Sequence, residues 1–160
     1  MDKQEIYSYF DKNNIPYTVV EHPAAFTVEE IHRLHLPRPE SGAKNLFLRD
    51  DKKEHFFLFV IQQDKAVDLK ILRAKAGTRR LSFASEDDLM RILQLRKGAV
   101  TPLGILNDRA RAVNVFLDSA FRNGEICIHP NDNTASLYME TVHLEQLIRQ
   151  HGNPIRYLEL

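Results

Sequence analysis

The chain has 160 residues and no net formal charge, with 43% hydrophobic and 28% charged residues. This length and composition are typical of one folded domain with a buried core and exclude long disorder. No apolar run approaches the ~20 residues that span a bilayer, and the charged N-terminus lacks the apolar segment of a secretory signal. A single cysteine, Cys127, excludes an internal disulfide and a multi-cysteine metal site. These features predict a cytoplasmic protein without structural metal.

Charge is unevenly distributed along the chain. Residues 70–111 carry ten basic and four acidic side chains, whereas residues 1–69 carry nine basic and twelve acidic ones. A neutral chain does not coat nucleic acid through bulk charge, but the basic middle segment could form a face that contacts phosphates. An ordinary solvated surface is the alternative, and composition alone does not decide between the two.

Capping patterns and apolar spacing predict the elements of the first half. Two pairs of a polar cap and a glutamate three residues later mark helix starts: Asp2 with Glu5, and Thr27 with Glu30. The first helix should end near Asn13, and the second before Pro37. A short strand is predicted at 17–20. The apolar segments 43–49 and 54–61 flank a polar tetrad and predict a β-hairpin.

The second half alternates short helices and strands. Helices are predicted at 68–76, ended by Gly77, at 85–93, ended by Gly98, and at 141–151, ended by Gly152. Strands are predicted at 80–84, 112–117, 125–129, 135–139 and 155–158. We therefore expect one α+β (mixed α/β) domain over residues 1–160, with a mixed, largely antiparallel sheet surrounded by helices. A doubly wound nucleotide-binding fold is disfavoured.

Lys44 is an unusual residue at the start of a predicted strand. Side chains alternate between faces, so Lys44 shares a face with Leu46 and Leu48, whereas Asn45 shares one with Phe47. A lysine at the start of an apolar face can place a fixed positive charge in a cleft. The alternative is a side chain that snorkels to water at the strand end.

Residues 98–108, Gly-Ala-Val-Thr-Pro-Leu-Gly-Ile-Leu-Asn-Asp, form a second candidate segment. Gly98 and Gly104 flank a proline, which is compatible with a rigid loop whose backbone N–H groups stabilise charge developing on a carbonyl oxygen. A plain connecting turn is the alternative. The segment lacks the Gly-Lys-Ser/Thr ending of a phosphate-binding P-loop.

His129 ends a predicted strand and precedes the polar loop 130–134. Cys127 lies on the same face, but residues two apart in a strand are separated by about 6.6–6.8 Å. This exceeds the roughly 3 Å over which a base takes a thiol proton, so Cys127 is interpreted as core packing. His129 is either a functional residue or a satisfied surface residue. With Asp132 it has no third ligand nearby at metal-binding spacing, so no metal is predicted.

The sequence contains no Ser-His-Asp motif, nucleophile elbow or metal-hydrolase signature. An enzyme without any of these catalytic motifs needs a substrate that is already reactive. An aminoacyl ester on a tRNA ribose meets this condition, since positioning and electrostatic stabilisation would suffice for its hydrolysis.

Five segments of the chain occur in a recognisable order: HPAAFTVEE (22–30), AKNLFLRD (43–50), VDLKILRAKAGTRRLSFASEDDL (67–89), GAVTPLGILND (98–108) and IHPNDNTASLYM (128–139). Together they resemble the YbaK/prolyl-tRNA synthetase-associated editing family, most closely its free-standing PrdX or ProXp-ala type. The resemblance covers nearly the whole chain and implies the fold of that family. It also implies trans-editing, the hydrolysis without metal or cofactor of alanine wrongly attached to tRNA(Pro). The implied partners are the tRNA(Pro) acceptor end and prolyl-tRNA synthetase or an elongation factor, with no membrane and no DNA.

The resemblance further implies which residues form the site. The expected catalytic residues are Lys44, Gly104 and His129, and the expected substrate-binding residues are Phe26, Thr27, Asn45, Thr101, Pro102, Asn131 and Thr134. Lys44 would hold the terminal adenosine phosphate or polar groups of the substrate. Backbone N–H groups around Gly104 would stabilise the oxyanion, and His129 with Asn45 would orient the amino acid or the attacking water. Because no strong protein base is visible, the ribose 2′-hydroxyl is expected to help activate water.

Two departures from the family pattern leave the preferred amino acid open. Ala24 follows Pro23 where relatives often have a second proline, and Asn131-Asp132 replace residues that are apolar in many relatives. Two alternatives to an alanine-specific deacylase therefore remain open. One is a deacylase for another small residue, such as Cys-tRNA(Pro), and the other is a non-catalytic tRNA- or synthetase-binding module.

Overall fold

The computed structural model describes all residues from 1 to 160. Five α-helices and eight strands follow one another along the chain: α1 Lys3–Lys12, β1 Thr18–Glu21, α2 Val28–Arg33, β2 Ala43–Asp50, β3 Phe56–Gln62, α3 Leu69–Ala76, β4 Leu81–Phe83, α4 Glu86–Leu93, β5 Val113–Asp118, β6 Glu125–Ile128, β7 Ala135–Glu140, α5 Thr141–His151 and β8 Ile155–Leu158. Short 3-10 helices cover Pro39–Ser41, Pro102–Asn107 and Ser119–Phe121. None of the helices has the length and apolar character needed to cross a bilayer.

Local capping interactions define most helix ends. The Asp2 carboxylate accepts the Glu5 N–H while the Glu5 carboxylate accepts the Asp2 N–H, so the predicted capping box of α1 is confirmed. Gly77 and Gly152 end α3 and α5 in the left-handed conformation, with φ of 70° and 105°. Glycine adopts this conformation without steric cost.

The bounds predicted for α4 and the start predicted for α2 agree with the structure, but one predicted end signal and one predicted capping contact do not. Helix α4 ends before Gln94, which itself adopts the left-handed conformation (φ 54°) and donates its N–H to the Met90 carbonyl. Gly98 therefore lies beyond the helix end and belongs to the following loop. At α2, Thr27 caps the helix as predicted, but the Glu30 carboxylate accepts the N–H of Phe26, outside the helix.

The strands form a five-stranded sheet in the order β4-β2-β3-β5-β8 and a three-stranded sheet in the order β1-β7-β6. All pairs are antiparallel except β3–β5 and β5–β8, which are parallel. The predicted mixed, largely antiparallel α+β fold is thus confirmed. The strands are divided between two sheets, which meet at a bridge between Gly42 and Cys127.

Each face of the five-stranded sheet contributes to a different hydrophobic core. Phe47 lies in the larger core of 24 buried residues, which the sheet shares with β6, β7, α1, α4 and α5. Leu48 lies in the smaller core of eight residues beneath α3. The predicted alternation of side chains along β2 is therefore observed. Burial of a side chain of this size contributes about 1.5–3 kcal/mol, so both cores hold β2 in one register.

Asp118, a fully buried carboxylate at the end of β5, fixes the segment that follows β3. It accepts the N–H groups of Gln62 and Ala120 at 3.1 and 3.0 Å and pairs with the Lys65 ammonium at 2.9 Å. The Lys65 carbonyl in turn accepts the Lys44 ammonium. The position of Lys44 thus depends on a carboxylate at the end of a different strand.

We expect Asp118→Ala to destabilise the protein by several kcal/mol, because each buried group left without its partner costs about 1–3 kcal/mol. Urea denaturation followed by circular dichroism measures this change. Glu159→Ala is the matched control, since Glu159 is exposed and such surface substitutions usually change stability by no more than about 0.5 kcal/mol. Equal losses in the two variants would contradict the anchoring role of Asp118.

Candidate active site

A cavity of about 610 Å³ opens at the start of β2. This volume lies within the range of small-molecule sites, about 300–1,000 Å³. Its walls come from the loop before α2, α2 itself, the start of β2, the loop after α4 and the end of β6: Ala25, Phe26, Thr27, Val28, Ile31, Ala43, Lys44, Asn45, Gln63, Lys97, Gly98, Val100 and His129. Five of the ten predicted site residues line this active-site cavity: Phe26, Thr27, Lys44, Asn45 and His129.

Lys44 is half-buried at the edge of the active-site cavity. Its ammonium donates a hydrogen bond to the Lys65 carbonyl, and Lys65 is held by Asp118. A carbonyl occupies only one of the three donors of an ammonium group. The side chain is thus neither free in solvent nor neutralised by this contact, and its charge is available to a ligand.

Asn45 joins β2 to the loop after α4. Its Nδ2 donates to the Val100 carbonyl at 3.1 Å, whereas its buried Oδ1 has no partner. A buried acceptor without a partner costs free energy. The geometry therefore leaves an acceptor at the cavity wall that a donor of a ligand can satisfy.

His129 is held in one tautomer. Its Nδ1 lies 3.1 Å from the Ala135 carbonyl, which can only accept, so Nδ1 carries the hydrogen and Nε2 has a free lone pair. Burial lowers the pKa of His129 below its ordinary value, which keeps the ring neutral at pH 7. The Thr101 hydroxyl donates to the His129 carbonyl at 2.6 Å and fixes the end of β6. His129 can thus accept a hydrogen bond from a substrate ammonium group or from water.

The loop after α4 divides into an exposed part and a buried part. The N–H groups of Gly98 and Val100 have no acceptor within the protein, whereas Gly104 donates its N–H to the Thr101 carbonyl at 3.1 Å. A Cβ on Gly104 would lie 2.6 Å from Leu95 Cδ1. Gly104 is thus a close-packing position, and its geometry does not fit the predicted oxyanion role.

Thr101 and Pro102 are also buried in this segment and do not line the active-site cavity. Thr101 instead supports His129 through its hydroxyl. The predicted contact of these two residues with substrate is therefore not favoured by the structure, because both are buried and neither lines the cavity. Gly98 and Val100, nearer the start of the same loop, line the cavity directly.

Asn131 and Thr134 face the N-terminal end of the chain instead of the cavity. Asn131 Nδ2 donates to the Met1 carbonyl at 2.9 Å, and Thr134 Oγ1 accepts from the Lys3 ammonium at 2.9 Å. The loop that carries them nevertheless supports the site through its backbone. The carbonyl of Asn133 accepts the N–H of Ala25 at 3.1 Å, which holds the segment before α2.

Cys127 lines a neighbouring cavity of about 290 Å³ that shares Ile31, Ala43, Gln63 and His129 with the active-site cavity. Burial raises the pKa of the Cys127 thiol to about 11, so the thiol stays protonated at neutral pH. This favours packing over nucleophilic catalysis. No three His, Cys, Asp or Glu side chains come together in an arrangement that could hold a metal ion.

Comparisons with known proteins identify the family. The sequence profile of the aminoacyl-tRNA editing domain matches residues 22–147. The prolyl-tRNA editing protein ProX of Acetoanaerobium sticklandii is 39% identical over 159 residues, which cover 99% of this chain and 97% of that protein. The chain belongs to the aminoacyl-tRNA editing domain family. The family predicted from the sequence motifs is thus confirmed, as is an aminoacyl-tRNA deacylase, an ester hydrolase.

One further relative supports this family, and one solved structure supports the fold. The prolyl-tRNA synthetase associated domain-containing protein 1 of Danio rerio is 37% identical over 142 residues, covering 84% of this chain and 74% of that protein. A crystal structure of a proposed trans-editing enzyme for prolyl tRNA synthetase superposes with a TM-score of 0.72 over 99% of this chain and 96% of that one. At 17% sequence identity, this second likeness supports the fold alone.

We expect Cys127→Ala to retain deacylase activity, because the thiol of the wild type is protonated and buried. The folded wild type should resist iodoacetamide at pH 8, whereas the urea-unfolded chain should react, which serves as the control for the reagent. Mass spectrometry of the alkylated protein measures both reactions. Rapid labelling of the folded chain together with loss of activity in Cys127→Ala would restore the cysteine–histidine pair as a candidate.

Proposed function

We propose that the chain is a trans-editing deacylase that hydrolyses Ala-tRNA(Pro) in the cytoplasm. The observation that carries this proposal is the meeting of Lys44, Asn45 and His129 at one cavity that is also lined by the apolar side chains of Val28 and Ile31. An aminoacyl ester combines a small side chain, an ammonium group and a carbonyl next to a ribose. The cavity offers a complementary group to each part.

Polar groups of the cavity suit the orientation of the ester. The neutral His129 Nε2 would accept a hydrogen bond from the substrate ammonium group or from the attacking water. The Lys44 ammonium would bind the polar groups of the ester, and its link to Lys65 limits its movement. Because these groups are held in place before the substrate binds, the entropy cost of bringing the ester and water together is lower.

The oxyanion is best assigned to the exposed part of the loop after α4. Gly98 and Val100 have free N–H groups and line the active-site cavity, whereas the Gly104 N–H is already bonded. Backbone donors that are fixed before the reaction stabilise developing charge without reorganisation. Thr101 and Gly104 then act by holding this part of the loop in place.

Discrimination between amino acids is assigned to the apolar wall. Alanine is smaller than proline, and a hydrophobic synthetase pocket separates substrates that differ by one methylene by only about 1–3 kcal/mol. A second site that admits alanine and excludes proline corrects this error. The half-buried Val28 and Ile31 on α2 would set the size limit, since they face the cavity.

The basic middle segment supports contact with a tRNA acceptor stem. Arg79 and Arg91 are neutralised by ion pairs with Asp51 and Asp88. Lys70, Arg73 and Arg80 line a separate open groove beside α3. Their grouping on one surface fits phosphate contacts, whose strength falls as salt concentration rises. Docking to prolyl-tRNA synthetase or to an elongation factor is a further possibility that the same surface leaves open.

The deciding experiment compares deacylation of Ala-tRNA(Pro), Cys-tRNA(Pro) and Pro-tRNA(Pro). We expect the wild type to release alanine selectively and Lys44→Ala to lose at least about tenfold in rate, since removing one ligand-directed charge commonly costs more than 1.4 kcal/mol. Lys52→Ala is the matched control, because Lys52 lies exposed in the turn at the opposite end of β2. Selective release of cysteine would identify Cys-tRNA(Pro) as the substrate instead. No release from any of the three, with retained tRNA binding, would favour a non-catalytic binding module.

A second experiment tests the source of water activation. No carboxylate lines the active-site cavity, and burial lowers the pKa of His129, which weakens its ring as a general base. The ribose 2′-hydroxyl is therefore assigned to help activate water. We expect Ala-tRNA(Pro) ending in 2′-deoxyadenosine to be hydrolysed far more slowly than the ribose form in single-turnover assays. Equal binding of the two tRNAs serves as the control. Undiminished hydrolysis of the 2′-deoxy substrate would exclude substrate-assisted activation.

A further inference from the structure

The cavity of about 290 Å³ that adjoins the active-site cavity, called here the second cavity, has no role in the ester chemistry described so far. Its own walls come from the segment after α2 and from β6 and β7. Four residues line both cavities and therefore form the boundary between them: Ile31, Ala43, Gln63 and His129. The side chains at this boundary decide whether the two spaces are separate or joined.

Gln63 crosses the boundary with its side chain. It follows β3, and its backbone N–H donates to the Gly42 carbonyl at 2.9 Å, which extends the pairing of β2 with β3 by one residue. Only 7% of the residue is exposed. Its Nε2 donates to the carbonyl of Pro39 at 2.9 Å, and Pro39 lines the second cavity but not the active-site cavity. The amide is thus fixed across the boundary instead of pointing to solvent.

Gly42 provides the space that this amide occupies. A Cβ on residue 42 would overlap Cδ and both amide atoms of Gln63. The backbone itself does not require glycine here, since Gly42 has a φ of −65° and a ψ of 137°, which any residue adopts. Room for the Gln63 side chain is therefore the physical reason for a glycine at this position.

The polar groups of the active-site cavity orient a substrate toward the boundary. Lys44 and Asn45 line the active-site cavity alone, whereas Ile31 lies at the boundary. An ester whose polar groups bind near Lys44 and Asn45 directs the carbon atoms of its amino acid toward the remaining walls. Proline exceeds alanine by two ring carbons, Cγ and Cδ. The second cavity has room for these carbons, but Gln63 stands between them and that space.

We propose that Gln63 determines the specificity of the site, by closing the active-site cavity toward the second cavity so that proline is excluded. Removal of its side chain joins the two cavities and admits the proline ring. Gly42 is the matching position, because a methyl group there occupies the same space. This inference rests on the proposed function and refines it: the size limit is set from the sheet by Gln63, in addition to the apolar residues of α2.

The test compares kcat/KM for Ala-tRNA(Pro) with kcat/KM for Pro-tRNA(Pro). We expect the ratio to fall about tenfold or more in Gln63→Ala, because a pocket separates substrates that differ by one methylene by about 10–200-fold. The variant should fold, since the Pro39 carbonyl still accepts the Gly42 N–H at 3.1 Å. Gln62→Ala is the matched control, because the Gln62 side chain bonds Asp64 and lines neither cavity. An unchanged ratio in Gln63→Ala, or an equal fall in Gln62→Ala, would overturn the inference.

Two further variants separate volume from polarity. Gln63→Met fills a similar volume without the amide and should keep most of the discrimination against proline. The double variant Gly42→Ala/Gln63→Ala returns a carbon atom to the vacated space and should regain part of the ratio that Gln63→Ala loses. In urea denaturation, Gly42→Ala should destabilise the wild type more than it destabilises Gln63→Ala. A loss in Gln63→Met as large as in Gln63→Ala, or no recovery in the double variant, would contradict closure by volume.

Binding of uncleavable analogues separates this inference from the proposed function. Adenosine derivatives that carry alanine or proline on a 3′-amide in place of the ester are suitable probes for NMR titration. The wild type should bind the alanyl amide more tightly than the prolyl amide, and Gln63→Ala should bind both about equally. A wild type with this preference that hydrolyses no ester would overturn the proposed function and leave the role of Gln63 standing. Selective hydrolysis of Ala-tRNA(Pro) with no change of preference in Gln63→Ala would overturn the role of Gln63 alone.

Discussion

The register of strand β2 is the constraint on which the site depends. Phe47 packs into the larger core and Leu48 into the smaller one, and β3 pairs with β2 along its whole length from Ala43 to Arg49. A shift by one residue would exchange the two faces, so that each core would receive side chains of the wrong size and shape. Lys44 and Asn45, at the start of the same strand, inherit this orientation. Packing in the two cores thus decides that Lys44 contacts the Lys65 carbonyl and that Asn45 contacts the Val100 carbonyl.

Three hydrogen bonds around the site join four segments that are distant in sequence. Asn45 bonds the carbonyl of Val100, Thr101 bonds the carbonyl of His129, and the Asn133 carbonyl holds Ala25. Each bond connects a wall of the active-site cavity to a neighbouring wall. These bonds between the walls therefore fix the shape of the cavity, and Thr101 contributes to that shape although its side chain does not line the cavity.

Sequence patterns that span only a few residues, such as helix caps, predicted much of this fold. The Asp2–Glu5 capping box and the glycines at 77 and 152 mark helix ends through interactions within one turn, and the sequence alone reveals them. The end of α4 at Leu93 was predicted, but the residue that ends it was misassigned to Gly98, because a non-glycine residue in the left-handed conformation, here Gln94, has no reliable sequence signal. The separation of β1, β6 and β7 into their own sheet depends on contacts between distant segments, which local patterns do not contain.

The candidate site was predicted in part for the same reason. The resemblance to the editing family assigned Lys44, Asn45 and His129 to the site, and all three line the cavity. The strand pattern alone left Lys44 between a cleft and solvent and His129 between a functional and a surface role. The role of Gly104 could not be predicted from the sequence, because a glycine can either expose its backbone N–H to a ligand or make room for a neighbouring side chain. Here the Leu95 side chain lies where a Cβ of residue 104 would be. Asn131 and Thr134 were misplaced because their partners, Met1 and Lys3, lie at the other end of the chain.

The contact between Gly98 and Phe26 has a consequence for how this surface can change over evolution. Two conditions require a glycine at position 98: its positive φ, and the Phe26 ring that lies where a Cβ would be. Neither condition requires a phenylalanine at position 26. Position 26 can therefore drift to a smaller residue without disturbing the loop, whereas loss of the ring would not free position 98 to gain a side chain. Sequence change at this pair is thus limited at position 98 by the backbone and by the ring, and at position 26 only by contact with a ligand.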